Sequence, residues 1–199
     1  AAGFGVQSIP AVYALRDGDG LVLIDAGWAL DVARRRLEEA LAHIGCDLGS
    51  VRRVLVTHAH RDHYTMATVV RRLFGARVAI GAHERDSLAG IQRDATPGPS
   101  VEVRRLYRYG ARELAERLAS RPWRRIDPAD WEDPDEWLTD GTRVKVSSRT
   151  LEVIHTPGHT RGHVVFLDSR EQVLFSGDHI LPHITPSIGF ERARPPLPL

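Results

Sequence analysis

The run Thr57-His-Ala-His-Arg-Asp-His63 constrains this chain more than any other part of its sequence. It places three histidines and one aspartate within six positions, directly after residues 53–57, whose β-branched character predicts a buried strand. A loop can turn all four side chains to one side, whereas a strand would alternate them. Imidazole nitrogens and carboxylate oxygens are good ligands for Zn²⁺ and similar metals. The alternative, a polar turn that contains histidines by chance, is disfavoured by this density of ligand-type residues.

Three other ligand-type side chains follow apolar runs of the sequence in the same way. They are Asp25 after residues 21–24, His159 after residues 151–154, and Asp178 after residues 173–175. Because α/β sheets place their ligands at the carboxyl ends of strands, we expect these side chains to meet the histidine cluster. The glycines beside them allow the sharp turns that this requires. They are Gly27, Gly158 and Gly177.

Hydrophobic patterning predicts strands and helices in both halves of one domain that spans residues 1–199. The first half predicts a hairpin of residues 11–15 and 21–24, a helix over 32–44 with Asp31 as its N-cap, the strand 53–57, a loop over 58–64, a helix over 66–74 ended by Gly75, and a strand over 77–81. The second half predicts strands over 143–146, 151–154, 164–167 and 172–175, and an extended tail over 192–199. Between the halves, residues 84–140 predict a helical insertion with one helix over 102–120.

Composition excludes several classes of partner. Basic residues number 27 and acidic residues 26, so the net charge of +1 predicts no nucleic-acid partner and no anionic membrane surface. No apolar run reaches the roughly 18 residues that a membrane span requires. The single Cys46 cannot form an internal disulfide, which favours a reducing compartment. We therefore expect a cytoplasmic protein that acts on a small-molecule substrate.

In their combination and order, these motifs resemble the metallo-β-lactamase-fold hydrolases. The matching residues are His58-Ala-His60-Arg-Asp62-His63, then His159 and Asp178, with Asp25 ahead of them. The resemblance covers residues 11–83 and 141–189 and implies an α/β fold, an αββα four-layer sandwich, with the insertion at 84–140 as a cap over the site. The pair Asp62-His63, together with Asp178, favours the binuclear branch of glyoxalase II type. The zinc β-lactamases that bear a cysteine place it where Asp178 stands, and the flavodiiron proteins have glutamate where His60 stands.

The resemblance also implies a site for two divalent metal ions, with zinc favoured over iron or manganese. Its ligand assignment is His58, His60 and His159 for the first metal, Asp62 and His63 for the second, and Asp178 as the bridge between them. Asp25 would orient the motif loop from behind the ligands. Asp62 would also act in catalysis, by orienting the attacking hydroxide or by accepting a proton.

One ligand of the family pattern has no counterpart in this sequence. The second metal of the family takes one more histidine from a later strand, whereas this sequence ends 21 residues after Asp178. We expect that ligand, together with the strands that close the second half of the sandwich, beyond the end of the sequence, and His183 is the alternative ligand. An open sheet would expose apolar surface, which a missing segment or a second copy of the chain is expected to cover.

Several residues near the motifs allow both a functional and a structural interpretation. Tyr64 would donate a hydrogen bond to a developing oxyanion or simply pack, and the second interpretation is favoured. His163 and His179 would contact substrate or a metal ligand, or support their loops. The arginines of the predicted 102–120 helix would bind an anionic substrate group or, as favoured, pair with the acidic stretch 126–140. They are Arg104, Arg105, Arg108 and Arg112.

The sequence therefore predicts a metal-dependent hydrolase that uses a metal-bound hydroxide on an ester or thioester. A mononuclear iron oxygenase of thiols or persulfides uses a similar His/Asp set and is the first alternative. A phosphodiesterase or nuclease of the same fold is the second, although the net charge of +1 supports it little. An inactive truncated form, kept for interactions, is the third.

Overall fold

The computed structural model describes residues 11–94, 101–120 and 127–188 of this 199-residue chain. Its strands are β1 Tyr13–Asp17, β2 Gly20–Ile24, β3 Val51–Val56, β4 Arg77–Gly81, β5 Glu136–Leu138, β6 Arg143–Val146, β7 Arg149–His155, β8 Val164–Asp168 and β9 Val173–Phe175. Its α-helices are α1 Asp31–His43, α2 Arg61–Phe74, α3 Arg85–Asp94, α4 Val101–Arg108 and α5 Arg112–Ala119. The predicted tail over 192–199 lies outside the described residues.

Two sheets form the centre of the molecule. The first has the order β1-β2-β3-β4-β5, in which β1 pairs with β2 antiparallel and the remaining pairs are parallel. The second has the order β6-β7-β8-β9 and is antiparallel throughout. Because β2 to β5 are parallel, their carboxyl ends share one edge of the first sheet, which is where open α/β sheets place their sites.

Alternating side chains of the strands divide the core into two clusters. In β2, Leu21 and Leu23 face the helices, whereas Val22 and Ile24 face the second sheet. The first cluster joins the first sheet to α1, α2 and α3, and the second cluster fills the space between the sheets. Helices, first sheet and second sheet therefore form successive layers. The predicted α/β sandwich is confirmed as the fold class.

Most predicted elements of the first half lie where the patterning places them, with two exceptions. Helix α2 begins at Arg61, so the predicted loop over 58–64 is wrong beyond His60. Helix α1 begins at Asp31 itself, and its N-cap is Leu30, without a side-chain hydrogen bond; the predicted cap is therefore also wrong. Gly75 ends α2 with a φ of 75° in the left-handed region, as predicted.

The segment 84–140 differs from a purely helical insertion. Its last part forms β5, which pairs with β4 and extends the first sheet. Its predicted single helix over 102–120 is two helices, α4 and α5, because Gly110 adopts a φ of 76° between them. Trp131 lies in the first core cluster, 8% exposed. Part of this segment therefore belongs to the sandwich itself.

The acidic stretch of this segment pairs with arginines that the sequence did not single out. Glu132 and Asp135 both contact Arg71 on α2, and Glu136 contacts Arg53 on β3. These contacts attach the stretch to the first sheet and to the helix that carries the histidine motif. In the part of the chain that the structure describes, no helix has the length and apolarity required to cross a membrane.

Candidate metal centre

Four of the predicted ligands meet at the edge where the two sheets adjoin. His58 and His60 follow β3, His159 lies in the loop after β7, and Asp178 lies in a short 3₁₀ turn after β9. One ligand atom from each lies within 4.8 Å of the others. Three separate loops thus deliver side chains to one point.

The spacing of these atoms fits one bound ion. Nδ1 of His60 lies 2.9 Å from Nε2 of His58 and 3.0 Å from Nε2 of His159. Nε2 of His159 lies 3.3 Å from Oδ2 of Asp178. Ligand atoms at about 2.1 Å from a tetrahedral Zn²⁺ lie about 3.4 Å apart. Three ring nitrogens face one another at this point, and hydrogen bonds among them cannot use all of their lone pairs. A bound cation would accept the remaining lone pairs.

A hydrogen-bond chain behind the ligands fixes the orientation of His58. The amide and hydroxyl of Thr57 donate to the Asp25 carboxylate at 2.8 and 3.0 Å, respectively. The Thr57 oxygen can then accept from Nδ1 of His58 at 3.0 Å. This leaves the lone pair of His58 Nε2 directed at the cluster. Asp25 therefore occupies the supporting position that the sequence predicts, and Thr57 is a participant that sequence reasoning missed.

The environment of the cluster keeps two imidazoles neutral. Burial, helped by the neighbouring imidazoles, lowers the pKa of His58 well below the ordinary 6.5 and that of His60 to about 4. Neutral imidazole is the form that binds a metal. Without a metal, these rings therefore lie ready for a cation over the physiological pH range.

His63 contacts both Asp178 of the cluster and the Asp25 carboxylate behind it. Nδ1 of His63 lies 2.9 Å from Asp25, and its Nε2 lies 3.3 Å from Oδ1 of Asp178. Burial opposes protonation of this ring, but Asp25 and Asp178 outweigh it and raise the pKa of His63 to about 10. Asp178 thus directs one oxygen to His159 and the other to His63. Asp62 lies on the first turn of α2 beside these side chains, outside the four-residue group.

The His159 loop docks on the first sheet through very close backbone packing. A Cβ at Gly81 would lie 2.3 Å from the carbonyl oxygen of Gly162, so there is no room for a side chain between the end of β4 and the His159 loop. The amide of Val164 donates to the Thr57 carbonyl at 2.9 Å, which joins this loop to the histidine motif. Nδ1 of His159 donates to the carbonyl of Ser187 at 2.7 Å, so its Nε2 faces the cluster.

Gly177 and His163 support the turn that carries Asp178. Gly177 has a φ of 48°, and a Cβ there would lie 2.6 Å from the Thr57 hydroxyl and 2.9 Å from Nε2 of His163. His163 is fully buried and stacks on the ring of His58, with 5.0 Å between centroids and 24° between planes. Its Nδ1 contacts the Thr156 hydroxyl at 3.0 Å. The structure therefore places His163 behind the ring of His58.

The remaining candidates lie apart from the four-residue group. The Tyr64 hydroxyl donates to the carbonyl of Glu132 at 2.5 Å, and the ring stacks on Trp131, so Tyr64 packs in the way that the sequence favours. His179 is exposed and lies 5.9 Å from His163 between ring centroids. His183 is also exposed, and the structure does not bring it into the group.

Comparisons with known proteins agree with this geometry. The family model described as the Metallo-beta-lactamase superfamily matches residues 6–198. Hydroxyacylglutathione hydrolase GloC of Haemophilus influenzae is 27% identical over 163 residues, which are 81% of this chain and 62% of that protein. The atrochrysone carboxyl ACP thioesterase of Cryptosporiopsis sp. is 37% identical over 51 residues, 26% of this chain and 16% of that protein.

Among solved structures, a metallo-beta-lactamase family protein from Thermus thermophilus superimposes with a TM-score of 0.72 at 27% identity. The match covers 92% of this chain and 58% of that chain. In each of these comparisons, the chain spans less than two thirds of the length of the protein it resembles.

Proposed function

Because this chain belongs to the metallo-β-lactamase superfamily, we propose that it is a metal-dependent hydrolase of esters or thioesters. The observation that carries the proposal is the convergence of three imidazole nitrogens and one carboxylate at the sheet edge. The names of two similar proteins, a hydroxyacylglutathione hydrolase and an acyl-carrier-protein thioesterase, support the thioester as the substrate class.

We propose two divalent ions, with zinc as the metal. The first would be held by the imidazoles of His58, His60 and His159. Asp62 and His63 would hold the second, and Asp178 would bridge the two because its oxygens face His159 and His63 separately. Bound divalent metals polarise a substrate carbonyl and lower the pKa of water toward neutrality.

The protein itself contributes orientation and proton transfer. Asp25 and Thr57 hold the rings of His58 and His63 in fixed tautomers, which preserves the geometry of the ligands through turnover. Asp62 is partly exposed on the first turn of α2. We assign its carboxylate to accept the proton that the attacking water gives up.

Replacement of one ligand tests the proposal directly. His60→Ala removes the nitrogen that contacts both His58 and His159, so we expect loss of metal-dependent thioester hydrolysis by at least ~100-fold. Metal content by elemental analysis and hydrolysis of a simple acyl thioester measure the two effects. Circular dichroism checks that the variant is folded. Unchanged turnover by the wild type in metal-free, chelated buffer contradicts the proposal.

The same metal analysis separates the alternatives. Two zinc ions per chain with thioester hydrolysis support the binuclear hydrolase. A single iron, with consumption of O₂ in the presence of a thiol, supports the oxygenase, since the four-residue group alone offers enough ligands for one ion.

A further inference from the structure

A tryptophan and an arginine lie against each other beside the metal ligands. The guanidinium carbon of Arg61 lies 4.7 Å from the centroid of the Trp28 ring, which is cation–π distance. Arg61 is the first residue of α2 and stands between His60 and Asp62 in the sequence. The pair therefore belongs to the turn that carries the motif.

The loop that carries Trp28 is fixed on α2 by its backbone. Its hydrogen bonds are Ala26 N–H to His63 O at 3.0 Å, Met66 N–H to Gly27 O at 3.0 Å, and Ala29 N–H to the Thr65 hydroxyl at 2.8 Å. The Thr65 hydroxyl in turn lies 2.6 Å from the Arg61 carbonyl. The same loop begins with Asp25, which orients the ligands. The backbone around Trp28 therefore has a defined position relative to α2.

Stacking leaves the donors of Arg61 available. A guanidinium that lies on an aromatic ring keeps its N–H groups in its own plane, where they can form a bidentate pair with a carboxylate. The side chain of Arg61 is exposed, and within the described part of the chain no carboxylate lies at ion-pair distance from it. Other arginines of this helix are paired, as Arg71 is with Glu132.

We propose that Arg61, held on Trp28, binds a carboxylate of the substrate and selects anionic acyl thioesters or esters over neutral ones. This inference rests on the proposed hydrolase function and assigns the substrate class of the same site. A carboxylate fits better than a phosphate dianion because one guanidinium balances one negative charge. In this proposal Arg61 binds the anionic group of the substrate, a role that the sequence also allows for the arginines of the 102–120 segment.

Two thioesters that differ in one group test the inference. The probes are S-acetyl-3-mercaptopropionate and its carboxamide analogue, measured as kcat and KM with the metal-loaded protein. We expect the wild type to favour the carboxylate by about tenfold in kcat/KM, through KM. Arg61→Gln is expected to bring the ratio close to 1. Arg61→Lys keeps the charge but not the planar fork and should retain part of the preference.

Arg52→Gln is the matched control. Arg52 is exposed on β3 near its amino end, whereas the ligands follow its carboxyl end, about 15–20 Å away along the strand. We expect Arg52→Gln to keep the wild-type ratio. Equal ratios in Arg61→Gln and Arg52→Gln would overturn the inference. Trp28→Leu should lower the ratio by about two- to fivefold, since only the stacking is lost.

A binding measurement distinguishes failure of the inference from failure of the proposed function. If metal-loaded wild type hydrolyses neither thioester, the proposed hydrolysis of thioesters fails. Titration calorimetry with glutarate and with glutaramide still tests Arg61. About tenfold weaker glutarate binding to Arg61→Gln than to Arg52→Gln supports the inference, and equal binding overturns it.

Discussion

Two regions of the molecule, the junction of β3 and α2 and the segment 177–188, both supply candidate metal ligands, but their surroundings differ. At the junction, His58 is 0% exposed and His63 is 3% exposed, and each has a hydrogen bond behind it. In the segment, the side chain of Asp178 is 27% exposed. The isoleucines that follow it are exposed over more than half of their surface, at positions 180, 184 and 188.

Because of this difference, we expect the two regions to contribute unequally to the stability of the fold. The buried polar groups of the junction satisfy one another, so the loss of one leaves the others unpaired inside the protein. The Asp178 side chain is partly exposed, so water can replace part of the stabilisation that its carboxylate provides. The junction should therefore contribute both to the fold and to metal binding, whereas the segment should contribute mainly to metal binding.

Replacement of Asp25 tests the strongest coupling. Asp25→Asn removes a buried charge that accepts from Thr57 and pairs with His63, so we expect loss of about 3 kcal/mol or more in the free energy of unfolding. Asparagine tolerates the φ of 56° at this position, which limits backbone strain. Urea denaturation of the metal-free protein measures the effect, and metal affinity should fall as well.

Asp168→Asn is the control for Asp25→Asn. Asp168 is 1% exposed and pairs with Arg149 at 2.9 Å, at the end of β8. We expect this variant to lose stability but to keep its metal affinity. If Asp25→Asn binds metal as tightly as Asp168→Asn does, Asp25 does not orient the ligands.

Removal of the Thr57 hydroxyl should have an intermediate effect. Thr57→Val keeps the shape of the side chain but breaks the connection between Asp25 and His58, at a cost of about 1–2 kcal/mol. Metal affinity should fall by about tenfold because His58 loses its fixed tautomer. Thr57→Ser retains the hydroxyl and should bind metal as the wild type does. Equal metal affinities of the two variants would show that the Thr57 hydroxyl does not orient His58 for metal binding.

Local spacing was sufficient to predict the ligand candidates, whereas their supports depend on tertiary contacts. His58 and His60 lie close together in sequence, and His159 and Asp178 each follow an apolar run that is a strand. Thr57 directly precedes the motif, but its role requires that Asp25 approach from β2. Position next to the motif was the signal that could have identified it.

The errors in the fold have a similar origin. The first turn of α2 carries polar side chains, so apolar periodicity gives no sign that the helix begins at Arg61. Strand β5 has three residues, too few for an alternating pattern, and its partner β4 lies more than 50 residues earlier in the chain. Gly110 ends α4, which the stripe of apolar residues across 102–120 conceals.

Replacement of Asp178 should have the smallest effect on folding. Asp178→Asn removes a partly exposed carboxylate that pairs with His63, while His63 keeps its contact with Asp25, so we expect a loss of about 1 kcal/mol in the unfolding free energy of the metal-free protein. Metal affinity should nevertheless fall by at least about tenfold, since the carboxylate faces both His63 and His159. Urea denaturation and metal titration measure the two effects separately.

His183→Ala is the control within the same segment. His183 is exposed and lies outside the four-residue group, so we expect neither stability nor metal affinity to change. A fall in affinity for His183→Ala that matches the fall for Asp178→Asn would make His183 a ligand. A loss of stability in Asp178→Asn as large as that in Asp25→Asn would remove the difference between the two regions, because the Asp178 turn would then be as strongly coupled to the fold as the junction is.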